Sequence, residues 1–396
     1  MFRCALLALR RPVLIVIGLA LIAAPTRAQD ALLAPALSLD RAAMTSASAP
    51  TLADARDWFG QRPWREWAAA TGDWSAIRSW LDRRGFDVAV GETADATTIA
   101  GASTGRRLHM RGLLDGTITA DATALRIPGS SALAQVQWLP GHDASGALGL
   151  VQSLSNIDAI DVPLLGEAWY QQEFGSRARL KVGRVDANSD FAAVDAAADF
   201  LSASMGFSPS IVALPSYPLP ASSISLFVEP VSGVELGGGL FNGTPGDGRW
   251  VGWQSRFTIT QARVGWTTGA PVLTGHASGG WWRHDDHDTV ASGTFVAAEQ
   301  TFWADEDRSV AAFAQFGSSD RESAIHQHVG GGVATRGLFA RRRQDVTGLG
   351  VTLIRLAPDE ATAPNELAVE WFHRLVLTPS ISVIPDVQWI QHPGGD

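Results

Sequence analysis

From residue 86 onward the chain alternates between apolar and polar positions. "FDVAVGE", "LHMRGLLDGTITA", "ALAQVQWLP", "GEAWYQQEF", "ARLKVGR", "SISLFVEP" and "VELGGGLF" follow one another as period-two runs separated by turn residues. The texture continues through "WVGWQSRFTI", "ARVGWTT", "VLTGHASGGWWR", "GTFVAAEQTFW", "SVAAFAQFG" and "GLGVTLIRL" to "ELAVEWFHRLVL" and "ISVIPDVQWI". These make about fifteen candidate strands with no helix-period segment between them, which predicts an all-β, antiparallel body. One helix is expected ahead of it. In residues 71–85 Asp73 stands as an N-cap, Trp74, Ile77 and Leu81 share a helical face, and Gly85 is a C-terminal stop.

The stretch "RARLKVGRVD" puts Arg177, Arg179 and Lys181 on one face and Ala178, Leu180 and Val182 on the other. A three-residue turn at Gly175–Arg177 pairs it with "GEAWYQQEF", setting Glu173 opposite Arg179 and Gln171 opposite Lys181. The other face then holds Phe174 with Ala178, Gln172 with Leu180, and Tyr170 with Val182. A two-residue turn would mix the faces. One face becomes a polar ladder fit for a water-filled lumen, while the other suits lipid, with Gln172 the residue that fits worst.

Composition narrows the choice of β architecture. The chain has 15 Trp and 16 Phe against 2 Tyr, and Trp138, Trp169, Trp250, Trp253, Trp266, Trp281, Trp282, Trp303, Trp371 and Trp389 stand near strand ends. That placement matches the aromatic girdles of a transmembrane barrel; the alternative is a core role in a secreted β protein. No blade-length repeat favours a propeller. No apolar run is long enough for a membrane-spanning helix. The net charge of −9, with Lys181 the single lysine, excludes a nucleic-acid partner.

The first residues read as a targeting segment. Arg3, Arg10 and Arg11 precede an apolar run over Val13–Ala24 and then "PTRAQD", which predicts a signal peptide over residues 1–28, cleaved after about Ala28. Cys4, the one cysteine, would leave with it. Residues 29–70, rich in Ala, Ser, Pro and Leu toward the start, read as a flexible leader, and residues 86–396 as the barrel.

Seven stretches in order, "TGDWSAIRSWLDRRGFDVAV", "SLSNIDAIDVPLLGEAWYQQEF", "RLKVGRVDANSDFA", "FLSASMGFSP", "YPLPASSIS", "GLFNGTPGD" and "LAVEWFHRLVLTPSISVIPDVQWIQHPGGD", resemble the OprB-type carbohydrate-selective porins of bacterial outer membranes. The resemblance implies a barrel of about sixteen strands. It also implies passive diffusion of monosaccharides such as glucose, with no cofactor and no enzymatic reaction. Ser75 and Ala76 replace the family's usual paired glycines, and Gly91–Leu133 matches poorly. Family members continue past "PGG" with one more strand, so the last strand is expected to be missing and closure to need another partner, with Gly91–Leu133 as one candidate.

A sugar-selective lumen needs hydrogen-bonding side chains and an aromatic platform. Trp169, Gln171, Glu173, Arg179 and Lys181 supply those types on one wall, and a bulge at Gly183 would add Arg184 and Asp186. Residues 187–207, "ANSDFAAVDAAADFLSASMGF", read as a constriction loop folded inward, with an exposed cap as the alternative. "WWRHDDHDTV" carries His284 and His287 among aspartates and reads as a solvated loop tip in preference to a metal site. "ELGGGLFNGTPGDG" lacks a phosphate-loop ending, and no Gly-x-Ser-x-Gly elbow occurs. The expected partners are small sugars and outer-membrane lipid, with a homo-oligomer left open. The rival is a secreted protein that binds or cleaves carbohydrate; an outer-membrane structural protein without a useful pore is the third reading.

Overall fold

The computed structural model describes residues 13–23, 63, 66–74, 76–100, 107–158, 163–246, 248–269, 273–320, 323–357 and 365–395. The strands are β1 (Val13–Ala23), β2 (Phe86–Ala100), β3 (Arg107–Ala120), β4 (Ser130–Trp138), β5 (Pro163–Phe174), β6 (Ala178–Val185), β7 (Ala221–Val231) and β8 (Val234–Asn242). They continue as β9 (Ser255–Thr268), β10 (Leu273–Asp286), β11 (Thr289–Asp305), β12 (Arg308–Ser319), β13 (Ile325–Arg336), β14 (Val346–Leu356), β15 (Glu366–Thr378) and β16 (Ile381–Gln391). Each pairs antiparallel with the next in sequence, and β1 pairs with both β2 and β16, so the sheet is a closed barrel. Closure removes every edge, which hydrocarbon demands because it offers no partner to a free backbone N–H or C=O.

Closure runs through a segment that the sequence reading gives to the signal peptide. Val13–Ala23 lies between β2 and β16, with Ile15, Ile17, Leu19 and Leu21 facing outward and Val16 and Ala20 buried inward. This corrects the expectation of a missing strand. It also corrects the alternative of closure through Gly91–Leu133, a stretch that instead forms ordinary hairpin partners in β2, β3 and the start of β4. An apolar run satisfies both demands here, because a strand beside a packed lumen is buried on one face and meets lipid on the other. A closing strand and a cleaved leader are alternative fates for these residues, since cleavage after Ala28 removes β1. The expected flexible leader over 29–70 lies largely outside the described residues.

The outer wall carries Val136, Leu165, Val182, Ile224, Leu226, Val264, Val296, Leu349 and Val351 as exposed side chains. Trp138, Trp281, Trp371 and Trp389 stand toward one end of this band and Trp266 and Trp303 toward the other, all exposed. These are the two girdles of a membrane barrel. Trp282 and Trp169 depart from the expected girdle. Trp282 is fully buried in the lumen cluster, and Trp169 packs against the same cluster. The tight turns at 175–177, 232–233, 306–307 and 379–380 share one end, and the inward segments 139–158 and 186–220 share the other with the tight turn at 287–288. By the asymmetry of bacterial barrels the tight-turn end is periplasmic.

The amphipathic helix is present but shorter than the periodicity suggests, spanning Ile77–Asp82. Trp74 and Ala76 adopt left-handed backbone, which delays the helical start. Asp73 is therefore not the N-cap residue, a place taken by Ala76, but its side chain still caps the first turn: its Oδ1 accepts from the Ser79 backbone N–H at 2.9 Å and from the Ser79 hydroxyl at 2.8 Å. Gly85, with φ of +81°, follows the helix as the expected stop. Arg78 donates to the Val88 carbonyl at 2.6 Å and ties the helix to β2 at the periplasmic rim.

Candidate functional site

The β5–β6 hairpin has the register the alternation predicts, with Glu173 opposite Arg179, Gln171 opposite Lys181, Gln172 opposite Leu180 and Tyr170 opposite Val182. Gln172 faces outward at the rim and is satisfied there. Its Nε2 donates to the Pro128 carbonyl at 2.9 Å and its Oε1 accepts from the Tyr170 hydroxyl at 2.6 Å. Trp169, Gln171 and Glu173 stand on the inner face at half-buried positions. Trp169 is not an open platform, because Lys181 Nζ lies 4.6 Å from its ring centroid.

Arg179 and Lys181 share a partner beyond the hairpin. Arg179 Nη1 and Lys181 Nζ both reach Asp190, at 2.7 and 2.8 Å, and Arg179 Nε lies 3.6 Å from Glu235. Asp190 belongs to the connection from β6 to β7, which does fold inward. Two wall cations converging on one buried carboxylate settle the electrostatics. Burial pushes the Asp190 carboxyl up, but Lys181 and Arg179 outweigh it and hold the group below the usual carboxylate range.

Gly183 does not bulge. The β5–β6 register continues unbroken through Trp169–Gly183 and Ala168–Arg184, and the local irregularity sits between β4 and β5 at Ala134/Val136. The glycine is required for close approach, since a Cβ there would lie 2.4 Å from Trp169 Cα and 2.4 Å from the Ala168 carbonyl oxygen. Arg184 Nε donates to the carbonyls of Leu165 and Gly166, both at 3.0 Å, so this side chain braces β5. Asp186 opens the inward loop. It accepts from the Asn188 backbone N–H at 2.8 Å, and burial pushes its carboxyl up to about 6.

The loop is held to the barrel wall along its length by a repeated device. Asp190-Phe191 and Asp199-Phe200 repeat the same dipeptide, and in each the aspartate meets a wall cation while the phenylalanine enters the wall. Phe191 is fully buried among Phe227, Phe241 and Phe257. Cβ atoms built on Gly237 and Gly239 would come within 3.3 and 3.0 Å of its ring. Phe200 packs edge-on to Phe372 and Phe313, with Gly348 and Gly350 leaving the corresponding space on β14. Asp199 accepts from Arg374 at 2.8 Å, and between the two dipeptides Asp195 lies 3.2 Å from Arg263. Gln261 accepts the Ala192 N–H, Glu299 the Ala196 N–H, and Glu370 the N–H groups of Leu201 and Ser202.

A second inward segment completes the ring. Glu366 accepts from the backbone N–H of Val151 at 3.1 Å and of Gln152 at 2.8 Å. Arg111, buried on β3, bridges Asp95 and Asp158. The Asn156 N–H donates to the Leu201 carbonyl at 2.8 Å, so the two inward segments meet. Polar wall and loop groups thus crowd the lumen along both inward segments. The expected loop tip at "WWRHDDHDTV" is a tight turn of the β10–β11 hairpin. Arg283 pairs with Asp285 on the exposed outer side, and His284 is engaged inside by Ser255 and Gly243. The residues that sequence reasoning missed are Asp190, Asp195, Asp199, Glu235, Arg263, His276, Glu299, Glu370 and Arg374. The repeated Asp-Phe and the "GGG" and "GLG" runs on the receiving strands were the available signals.

A closed antiparallel barrel with an apolar outer band, two aromatic girdles and an acidic loop clamped across a basic inner wall is the architecture of a porin. The model of the carbohydrate-selective porin, OprB family, matches residues 140–294 and 285–396, and the chain belongs to that family. The high-pH structure of Pseudomonas putida OprB is 16% identical, with a TM-score of 0.70 over 83% of this chain and 100% of that one. The low-pH structure of the same protein gives a TM-score of 0.53 at 16% identity over 81% and 97% of the two chains. Among curated proteins no relative matches.

Proposed function

We propose that the chain is a passive outer-membrane channel for carbohydrates of monosaccharide size, such as glucose. The observation that carries the reading is the inward loop, with Asp190, Asp195 and Asp199 each set against wall cations in the lumen. Paired acids and bases crossing a narrow passage offer donors and acceptors on opposite sides, which suits the hydroxyl-rimmed edge of a sugar ring. Glu235 and Arg374 join Arg179 as partly accessible groups. The chain's role is that of a channel, with sugar as cargo and membrane lipid against the leucine- and valine-rich wall. A secreted carbohydrate-binding protein would have no use for that wall.

Export is part of the same reading. Residues 1–28 have the charge and apolar pattern of a signal peptide, and the position of the mature amino terminus in the membrane-inserted protein is read directly by mass spectrometry. The channel itself is tested by liposome swelling with sugars of increasing size. Swelling rates should fall steeply from monosaccharide to trisaccharide, and swelling should exceed that given by an uncharged non-sugar solute of glucose size. Equal rates for glucose and that solute would reject carbohydrate preference.

A further inference from the structure

One cluster at the loop–wall junction combines three metal-binding side chains. His276 on β10 and Glu299 on β11 are directly opposed across the strands, with His276 Nδ1 3.3 Å from Glu299 Oε1. Asp195 reaches them from the inward loop, and one donor atom from each of the three lies within 4.8 Å of the others. We propose that Asp195, His276 and Glu299 form a binding site for a divalent first-row transition cation, with Zn²⁺ as its representative probe, joining the loop to the barrel wall.

The donor chemistry selects the cation. An imidazole nitrogen with two carboxylates suits Zn²⁺ and its neighbours, whereas Mg²⁺ and Ca²⁺ take all-oxygen shells. His276 is nearly buried, at 5% exposure, so its ring is held in place by the wall on which it stands. Asp195, His276 and Glu299 also line, with Thr274 and Gln300, a cavity of about 140 Å³, which has room for an ion and the waters that complete its shell. Once Arg263 withdraws, the two carboxylates carry a charge that a divalent cation matches.

Arg263 is the built-in competitor. Its Nη2 lies 2.9 Å from His276 Nε2 and 3.2 Å from Asp195 Oδ2, where it neutralises part of the cluster. A guanidinium does not give up its proton, so a cation enters only as Arg263 releases the imidazole. The Arg263 Nε is buried without a hydrogen-bond partner among the described residues, so this arginine is not fully satisfied where it stands. The site therefore gains affinity when Arg263 is neutralised, a sign opposite to that of a merely structural cluster, which would lose integrity.

Equilibrium dialysis of the full chain in detergent against Zn²⁺, with the visible spectrum of Co²⁺ as a second readout, tests this. The expected result is one ion per chain with a Co²⁺ spectrum unlike that of the hydrated ion. Affinity should fall in His276→Ala and Glu299→Gln by more than the roughly 10–100-fold that loss of an outer partner brings, and rise in Arg263→Met. His284→Ala, whose ring is held by Ser255 and Gly243, should bind as the parent does. Less than one ion per chain in both parent and Arg263→Met would overturn the proposal. So would unchanged affinity in a heat-modifiable, folded His276→Ala, or a hydrated-ion spectrum for Co²⁺.

Discussion

Replacing Asp190 by Ala should release the inward loop while leaving the barrel standing. Its carboxylate accepts from Arg179 at 2.7 Å and Lys181 at 2.8 Å, and the three side chains are only 11%, 7% and 5% exposed, for Arg179, Lys181 and Asp190 in turn. Removing one partner of a buried ion pair costs about 3–5 kcal/mol, because the remaining charges keep their burial and lose their compensation. Arg179 keeps Glu235 at 3.6 Å and the face of Phe227, and Lys181 keeps Trp169, so the lower end of that range is expected. About 3 kcal/mol corresponds to a rise of roughly a hundredfold in the open population of the loop. Hydrogen exchange reads it: the amides of Phe191, Ala192 and Val194 should exchange about two orders of magnitude faster, while the strand ladders β9–β12 exchange as before. Equal acceleration throughout the barrel, or no change in the loop, would refute the reasoning. The Asp190 carboxyl sits below the usual range, so its contribution holds at pH values above about 4 and fades only as pH falls through its lowered folded-state value.

The remaining predictions concern other elements. Asp186 has the opposite sign: its pKa is raised to about 6 by burial, so loop protection corrected for intrinsic exchange should decline as pH rises from 4 through 6, and Asp186→Asn should abolish that decline. Phe200→Ala should cost about 3–5 kcal/mol of loop anchoring, and Gly350→Val should expel the same ring; both should raise single-channel conductance, and unchanged conductance would contradict the clamp. Ile224→Arg sets a cation on the exposed outer wall at a cost of about 2–4 kcal/mol near the midplane and should lower the yield of folded barrel, measured by heat-modifiable gel mobility. A chain beginning at Gln29, refolded in detergent beside the full chain, should give less heat-modifiable barrel, because β2 and β16 lose their common partner; equal yields would show that closure does not need Val13–Ala23.

What was legible in the sequence was whatever repeats with period two. The β5–β6 register follows from alternation alone, since any slip by one residue would send Arg179 and Lys181 to lipid and Val182 to the lumen. The outward placement of most tryptophans follows for the same reason, but strand number does not: "WVGWQSRFTI" and "ARVGWTT" both fall in β9, and β13, whose central Gly330–Gly332 interrupts the alternation, is missed. Trp282 breaks the pattern beside Trp281 because adjacent residues on a strand point to opposite faces, and only one of the pair can stand in a girdle. The site was harder to read. Arg179 and Lys181 were visible as lumen cations, but their partner Asp190 sits in a loop whose path no periodicity encodes. His276, Glu299 and Glu370 read as ordinary inward polar residues until the loop lies over them. Val13–Ala23 shows the remaining ambiguity: an unbroken apolar run fits a targeting segment and a strand buried on one face and bathed in lipid on the other equally well.

Single-channel recording of the purified full-length protein in a planar bilayer tests the central claim most directly. The account predicts ion conductance that falls saturably as glucose is added, because sugar occupies the passage where Asp190, Asp195 and Asp199 face Arg179, Lys181, Arg263 and Arg374. Absence of conductance, or a conductance that falls no further with glucose than with an inert solute of equal size, would contradict it.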